Sequence, residues 1–185
     1  AAVPANRAMK QPGYRMRIYQ EIARLDHIQI DDTQWAPTEE QASSSFLHHD
    51  LSWWSFCEGS LDFEAICRET GITVDSLPAL RRAMEALFAK FGPASIAVKS
   101  QHAYRRPMAW EECPEADAEK ILNLILRGEA IEPADKRRLG DWCWARGAEL
   151  AAQYDLPFKI HTGLLGGAGY CNLHRIRVAD LCPLL

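Results

Sequence analysis

The feature that most constrains the fold of this chain is a repeated order of helix and strand patterns. Three short segments alternate apolar and polar residues in the manner of strands, at 27–32, 95–100 and 156–163. Each follows a segment in which apolar residues recur at steps of three and four, the spacing of a helix. Repeated helix–strand units predict an α/β fold with a parallel sheet and right-handed crossovers.

Three helices between these strands are marked by their ends. One is predicted at 76–91, one begins at Pro114, and the longest begins at Pro133 and runs into the third strand. Gly140 and Gly147 lie within the longest helix, where glycine lowers helix propensity. They therefore predict close packing against a neighbouring element.

Composition excludes several classes of function. The net charge of −4 and the absence of a basic block argue against nucleic-acid binding. No apolar run approaches the roughly 20 residues of a membrane span, and the first residues show no signal-peptide pattern. The six cysteines form no C-x-x-C pair. This favours a reducing, cytoplasmic compartment over a disulfide framework or a zinc knuckle.

His161 lies at the carboxyl end of the third strand, directly before the run GLLGGAGY. In parallel α/β folds this is where site residues are placed, because the strand fixes the side chain and the loops shape the pocket. A buried structural histidine bonded to backbone is the alternative. A nucleotide-binding module is a further alternative, because a glycine-rich run follows the strand. The run matches neither G-x-G-x-x-G nor the P-loop pattern.

Charged residues also end the other two predicted strands. Asp31 and Asp32 follow the first, where a carboxylate pair either binds a metal, accepts a proton or simply caps a turn. Lys99 ends the second strand. A lysine that finishes an apolar strand is costly to bury, so it has a partner or a function unless its ammonium reaches solvent.

Residues 33–75 form no single regular element and are rich in aromatic side chains. Such an insertion lines a substrate pocket, mediates subunit contact or packs onto the rest of the domain. Arg105 and Arg106 follow Lys99 and are suited to bidentate pairing with a substrate carboxylate, with solvated surface arginines as the alternative.

Five segments together resemble one protein family: HIQIDDTQW, FLHHDLSWWSFCEG, AVKSQHAYRR, LGDWCWARGAELA and LPFKIHTG. They are similar to metal-dependent hydrolases of the amidohydrolase superfamily, amidohydrolase-2 type. The resemblance implies a TIM-type (β/α)8 barrel with a metal centre at the carboxyl ends of its strands. We expect residues 14–185 to cover the middle part of such a barrel, about three to four β/α units, after a loose lead-in at 1–13.

The resemblance also implies roles for single residues. His161 matches a metal ligand, and Lys99 matches a lysine that coordinates or, when carboxylated, bridges metals; both are the expected catalytic residues. The implied metal is zinc, with manganese, iron or nickel as alternatives. The family's first-strand H-x-H does not occur here. The expected substrate contacts are Trp53, His102, Tyr104 and Arg105, and the residues that remain to complete a ligand set are Asp31, Asp32, His48, His49 and His102.

The expected function is hydrolysis of a small carboxylate- or amide-containing substrate by a metal-activated water. Decarboxylation or C–C cleavage, as in relatives of the same superfamily, is one alternative. The other is an inactive, incomplete barrel that self-associates through its open sheet edges. We expect a homo-oligomer with no nucleic-acid or membrane partner.

Overall fold

A parallel four-stranded sheet forms the centre of the computed structural model, which describes residues 9–162 and 173–184. The strands lie side by side in chain order, and every neighbouring pair is parallel. Their bounds are Ile28–Ile30 (β1), Leu47–Ser52 (β2), Ser95–Ser100 (β3) and Phe158–Ile160 (β4). Four consecutive parallel strands fit the predicted partial barrel. The run GLLGGAGY and the first part of the lead-in lie outside the described residues.

Helices connect the strands. Their bounds are Tyr14–Arg17 (α1, continued by a π-helical turn at Ile18–Ile22), Glu39–Ser43 (α2), Trp54–Glu58 (α3), Phe63–Thr70 (α4), Leu77–Phe91 (α5), Glu115–Leu126 (α6) and Pro133–Gln153 (α7). Short 3-10 turns occur at Gly92–Ala94, His102–Tyr104, Leu173–Arg175 and Val178–Leu184. The starts of α5, α6 and α7 agree with the capping and proline signals in the sequence.

The hydrophobic core lies between the sheet and its helices. From the sheet side, Leu51 of β2 and Val98 of β3 are fully buried. From the helix side, α5 contributes the stripe that its spacing predicts, and each such fully buried side chain stabilises the fold by about 1.5–3 kcal/mol. The fully buried members of this stripe are Leu80, Met84, Leu87 and Phe88.

Strand β2 is the element that the sequence pattern did not reveal. It lies within the segment 33–75 that we interpreted as an aromatic-rich insertion, so the described sheet has four strands where three were predicted. The sequence of β2 is LHHDLS, and His49 interrupts the apolar side formed by Leu47 and Leu51. His49 is tolerated there because its ring is hydrogen-bonded to the Trp35 carbonyl oxygen at 3.0 Å.

The close packing predicted at the two glycines of α7 is confirmed. A Cβ added to Gly140 would lie 2.6 Å from the carbonyl oxygen of Cys57, and one added to Gly147 would lie 2.1 Å from Nε1 of Trp53. Both distances are shorter than van der Waals contact. The glycines therefore let α7 approach the end of β2 and helix α3.

Replacing Gly147 with alanine is expected to destabilise the domain by about 1–3 kcal/mol, the usual effect of overpacking a core. Trp53 is fully buried, and its indole donates to the Cys143 carbonyl at 3.3 Å, so the ring has little room to shift. Urea denaturation followed by circular dichroism measures the change in the free energy of unfolding.

Gly92→Ala is the matched control for this prediction. Gly92 has helical backbone angles, with φ −55° and ψ −46°. The three atoms nearest to its added Cβ would all belong to the Tyr154 ring, at 3.1 to 3.6 Å, and Tyr154 is 36% exposed. We expect Gly92→Ala to be neutral or to stabilise by up to about 1 kcal/mol. Equal losses in the two variants would contradict the packing argument.

The predicted cytoplasmic compartment can be compared with the state of the cysteines and with the length and hydropathy of the helices among the described residues. The five cysteines found there, at 57, 67, 113, 143 and 182, are all free. Burial raises the pKa of the Cys57 thiol to about 12, so this thiol stays protonated at neutral pH. None of the described helices is both long and apolar enough to cross a membrane. A cytoplasmic location stays a prediction.

Candidate functional site

One side of the sheet, which we call the inner face, carries polar side chains. Alternation along each strand separates them from the helix-facing residues such as Leu51 and Val98. Contacts that cross the sheet confirm the grouping, because Lys159 of β4 reaches both Gln29 of β1 and Asp50 of β2. The polar inner-face residues on the strands and directly after them are Gln29, Asp31, His48, Asp50, Ser52, Lys99, Lys159 and His161.

Asp31 is held at the carboxyl end of β1 by two neighbours. The Lys99 ammonium lies 3.9 Å from Asp31 Oδ2, and the Gln101 side-chain amide donates to the same oxygen. The other oxygen, Oδ1, is buried and has no hydrogen-bond partner among the described residues. Burial raises the pKa of Asp31 above its ordinary value, an effect that Lys99 partly opposes. Lys99 therefore has the partner that its position at a strand end predicted.

A second ion pair on the inner face joins Asp50 of β2 to Lys159 of β4. Lys159 also donates to the Gln29 side-chain oxygen at 2.7 Å, and Asp50 is only 1% exposed. Each strand thus contributes one charge to a group that we call the inner-face charge cluster: Asp31, Asp50, Lys99 and Lys159. Sequence reasoning missed Asp50 because it missed β2. Lys159 was detectable, since it precedes His161 by two residues and shares its face.

His161 is fixed by the sheet and stacked in a row of rings. Its backbone N–H donates to the Ser100 carbonyl at 3.0 Å, which extends the pairing of β3 and β4. Its ring stacks on Tyr104 at 5.2 Å between centroids, and Tyr104 lies 6.5 Å from the Trp54 ring. His161 Nε2 is buried and has no partner within the described part of the chain. The ring is therefore not tied to backbone as the structural alternative would require.

A cleft of about 490 Å³ opens beside this row, and we call it the carboxyl-edge cleft. Ser52, which lines it, is paired in register with Lys99, so the cleft adjoins the inner-face charge cluster. Residues 33–36 form one wall and Trp54 another. The Arg105 guanidinium also lines it and has no ion-pair partner in the described ranges. The acids on the rim are engaged elsewhere: Glu58 with Lys136, Glu69 with Lys90, and Asp62 as the N-cap of α4.

Two predicted substrate contacts lie in the core instead of in the cleft. Trp53 is fully buried and stacks on Phe56, with ring centroids 4.2 Å apart. Trp54, the next residue and the first of helix α3, lines the cleft. His102 is also fully buried, with its Nδ1 2.8 Å from Ser100 Oγ and its ring 4.3 Å from that of Trp144. Both side chains therefore have packing roles.

The pH dependence of stability should report the burial of His102. Burial, followed by the nearby Arg106 charge, holds the pKa of His102 well below its usual value of 6.5. The unfolded chain therefore binds a proton below pH 6.5 that the folded chain does not. Stability should fall with decreasing pH by up to about 1.4 kcal/mol per unit from this group. Urea denaturation at several pH values measures the slope, which His102→Gln should reduce; an unchanged slope would contradict the assignment.

The two consecutive arginines separate in the structure. Arg106 is buried, where it donates to Asp141 Oδ1 at 2.7 Å and to the Cys57 carbonyl at 2.8 Å. Its guanidinium also lies over the Trp144 ring, 5.5 Å from the centroid. Arg106 is thus an internal anchor, and only Arg105 faces the cleft.

The predicted metal ligands do not form a metal centre by themselves. Within residues 9–162 and 173–184, no group of three or more His, Cys, Asp or Glu side chains is arranged to hold a metal ion. The Lys99 ammonium is engaged by Asp31, which leaves His161 Nε2 as the available donor atom. A zinc site needs three or four protein ligands. The described residues do not fit such a site, and ligation by His161 and Lys99 stays a prediction.

Comparisons with known proteins bear on the fold. Glucuronate isomerase from Caulobacter crescentus has a similar structure, with a TM-score of 0.70, 15% identity, and coverage of 98% of this chain and 42% of that enzyme. Uronate isomerase from Thermotoga maritima gives a TM-score of 0.61 and 10% identity, over 78% of this chain and 34% of that enzyme. Neither a protein-family profile nor a curated sequence matches the chain.

These similarities support the expected architecture at the level of the fold. The matched parts of both enzymes agree with the partial (β/α) barrel that the sequence predicted. The chain spans less than half of the length of either enzyme. At 15% and 10% identity the similarity shows the fold alone, and the predicted hydrolysis stays a prediction.

Proposed function

We propose that this chain forms part of a barrel enzyme that performs acid–base chemistry on a small carboxylate-bearing substrate, at the place where the inner-face charge cluster adjoins the carboxyl-edge cleft. The observation that carries the proposal is Asp31, whose buried Oδ1 lacks a hydrogen-bond partner among the described residues. It lies at the carboxyl end of a parallel strand, 3.9 Å by its other oxygen from a lysine ammonium. This is the usual location of reacting groups in such folds.

Each residue of the site has a distinct role in the proposal. Asp31 accepts a proton from the substrate through Oδ1, and Lys99 stabilises the negative charge that develops on a substrate oxygen. Arg105 binds the substrate carboxylate, for which its planar guanidinium is suited. Trp54 and Tyr104 contact the carbon skeleton.

Hexuronates are the first substrates to test. The two similar structures are named for the isomerisation of glucuronate and of uronates, which carry a carboxylate and a polyhydroxylated chain. An aldose–ketose isomerisation removes a proton from one carbon and returns one to its neighbour, which is the acid–base chemistry that Asp31 would supply.

Hydrolysis that depends on a metal, as implied by the sequence resemblance, is the second candidate. The observation in its favour is the buried and unpartnered Nε2 of His161, an atom suited to metal ligation. The described residues supply too few ligands for a complete site, so the further ligands would have to come from elsewhere in a complete barrel or from another subunit.

The experiment measures binding and turnover with the purified chain. Isothermal calorimetry with glucuronate tests binding, and proton NMR follows ketose formation from glucuronate and hydrolysis of N-acyl amino acids, each with and without added Zn²⁺ or Mn²⁺. We expect carboxylate binding that weakens about tenfold or more in Arg105→Ala, because a charged hydrogen bond is lost. Failure of the folded chain to bind any of these carboxylates would contradict the proposal. An inactive barrel that self-associates, detectable by sedimentation, would then be favoured.

A further inference from the structure

His49 is a buried polar side chain that the proposed reaction does not use. It lies on β2 and is only 2% exposed. Its Nε2 lies 3.0 Å from the carbonyl oxygen of Trp35. Because a carbonyl oxygen only accepts hydrogen bonds, Nε2 must carry the hydrogen. The other ring nitrogen, Nδ1, lies 3.9 Å from Asp32 Oδ1 and has no hydrogen-bond partner among the described residues.

Asp32 organises the chain on the other side of this contact. Its Oδ1 accepts a hydrogen bond from the Gln34 backbone at 3.2 Å, and its Oδ2 accepts one from the Gln41 side chain at 3.1 Å. Gln41 in turn forms a capping box with Thr38 at the start of α2. Asp32 thus links the two ends of the β1–α2 loop, residues 31–38, by hydrogen bonds. His49 attaches this loop to β2.

The same loop forms a wall of the carboxyl-edge cleft through residues 33–36. Its backbone contributes one hydrogen bond to β2, from the Ser52 N–H to the Gln34 carbonyl at 3.2 Å. Thr33 has a positive φ of 65°, an unfavourable conformation for a β-branched residue. Side-chain contacts therefore help to define the position of this wall. They are the hydrogen bond from His49 to the Trp35 carbonyl and the packing of the Trp35 ring on Phe56, with 6.0 Å between ring centroids.

We propose that His49 is a positioning residue, which holds the β1–α2 loop against β2 and thereby sets the shape of the carboxyl-edge cleft. The link to substrate affinity rests on the proposed function. The attachment of the loop does not, because it follows from the hydrogen bond between His49 and the Trp35 carbonyl. His49 acts through the loop and touches none of the reacting groups.

The test compares two substitutions that differ in one hydrogen bond. His49→Gln places an amide donor near the position of Nε2, whereas His49→Phe keeps a ring and removes the donor. We expect hydrogen–deuterium exchange of peptides covering residues 31–37 to rise about tenfold in His49→Phe, since the partly buried Trp35 carbonyl loses its partner. His49→Gln should restore most of the protection. Peptides of α5 serve as the internal reference for global folding.

Kinetics separate positioning from a merely structural effect. If glucuronate is a substrate, His49→Phe should raise KM about tenfold with kcat within about twofold, because the cleft wall moves while Asp31 and Lys99 do not. His49→Gln should restore KM. Unchanged exchange in His49→Phe, or equal exchange in the two variants, would overturn the proposal.

A second variant covers the case in which His49→Phe does not fold. His49→Leu also removes the donor and has a smaller side chain than phenylalanine, so it fits the same position, and it should raise exchange in the same loop peptides. Unchanged loop exchange in that variant would count against the proposal. Raised loop exchange in the variants would support the role of His49 even if the unmodified chain binds no carboxylate. The absence of carboxylate binding would contradict only the proposed function.

Discussion

Replacing Asp31 with asparagine is expected to lower the kcat of the proposed reaction by about 10²- to 10⁴-fold, the usual contribution of a positioned general base. Asparagine has nearly the same size and still accepts the hydrogen bond that Gln101 donates. It does not accept a proton at neutral pH. The NMR assay for ketose formation gives kcat, and thermal unfolding of both proteins shows whether the fold is unchanged.

Asp32→Asn is the matched control for this experiment. Asp32 adjoins Asp31 in sequence, yet its carboxylate accepts hydrogen bonds within the β1–α2 loop and lies outside the inner-face charge cluster. We expect its kcat to stay within a few fold of the unmodified chain. Equal losses of kcat in the two variants would contradict the assignment of the base to Asp31.

Truncating Asp141 to alanine should destabilise the domain by about 3–5 kcal/mol, because it leaves a buried charge without its partner. Asp141 is 1% exposed and Arg106 is 8% exposed, with 2.7 Å between the bonded atoms. After the substitution, Arg106 would retain the Cys57 carbonyl and lose its counter-charge. Urea denaturation at pH 7 measures the free energy of unfolding.

The surface pair of Arg81 and Glu115 provides the comparison for Asp141. Their side chains are 37% and 64% exposed, so water already solvates both charges. Glu115→Ala is expected to change stability by less than about 1 kcal/mol. If Asp141→Ala were as mild as this, the buried pair would not have the anchoring role that its burial indicates.

Much of the fold was predictable because most elements follow the period of their secondary structure. Strands β1, β3 and β4 alternate, and α5 repeats its apolar residues at helical spacing between clear end signals. The sequence of β2 lacked such a pattern for a physical reason. Its inner side carries His48 and Asp50, and its outer side includes His49, a polar residue whose hydrogen bond permits burial.

The candidate site was predictable only in part, for the same reason. Lys99 lies near the end of a strand that the sequence predicts, and Tyr104 follows that strand, so both lie at the predicted edge of the sheet. The sequence predicts Trp53 and not Trp54 as a substrate contact. Without knowing where β2 ends, the pattern does not show which of these two side chains faces the core. Asp50 was missed together with its strand. The burial of His102 depends on Trp144, a residue far away in sequence, so local patterns carry no information on it.

The inner-face charge cluster has a consequence for how an anion would reach the cleft. Two carboxylates and two ammonium groups sum to zero charge, so the cluster projects little field into solvent. Two arginines line the cleft: Arg68 lies 3.7 Å from Glu69, whereas Arg105 has no counter-ion in the described ranges. Arg105 would therefore provide most of the local attraction. The association rate of a negatively charged molecule should then depend only weakly on ionic strength, as expected for attraction by a single charge. Such a cleft would select its ligand by contact at short range and not by long-range steering.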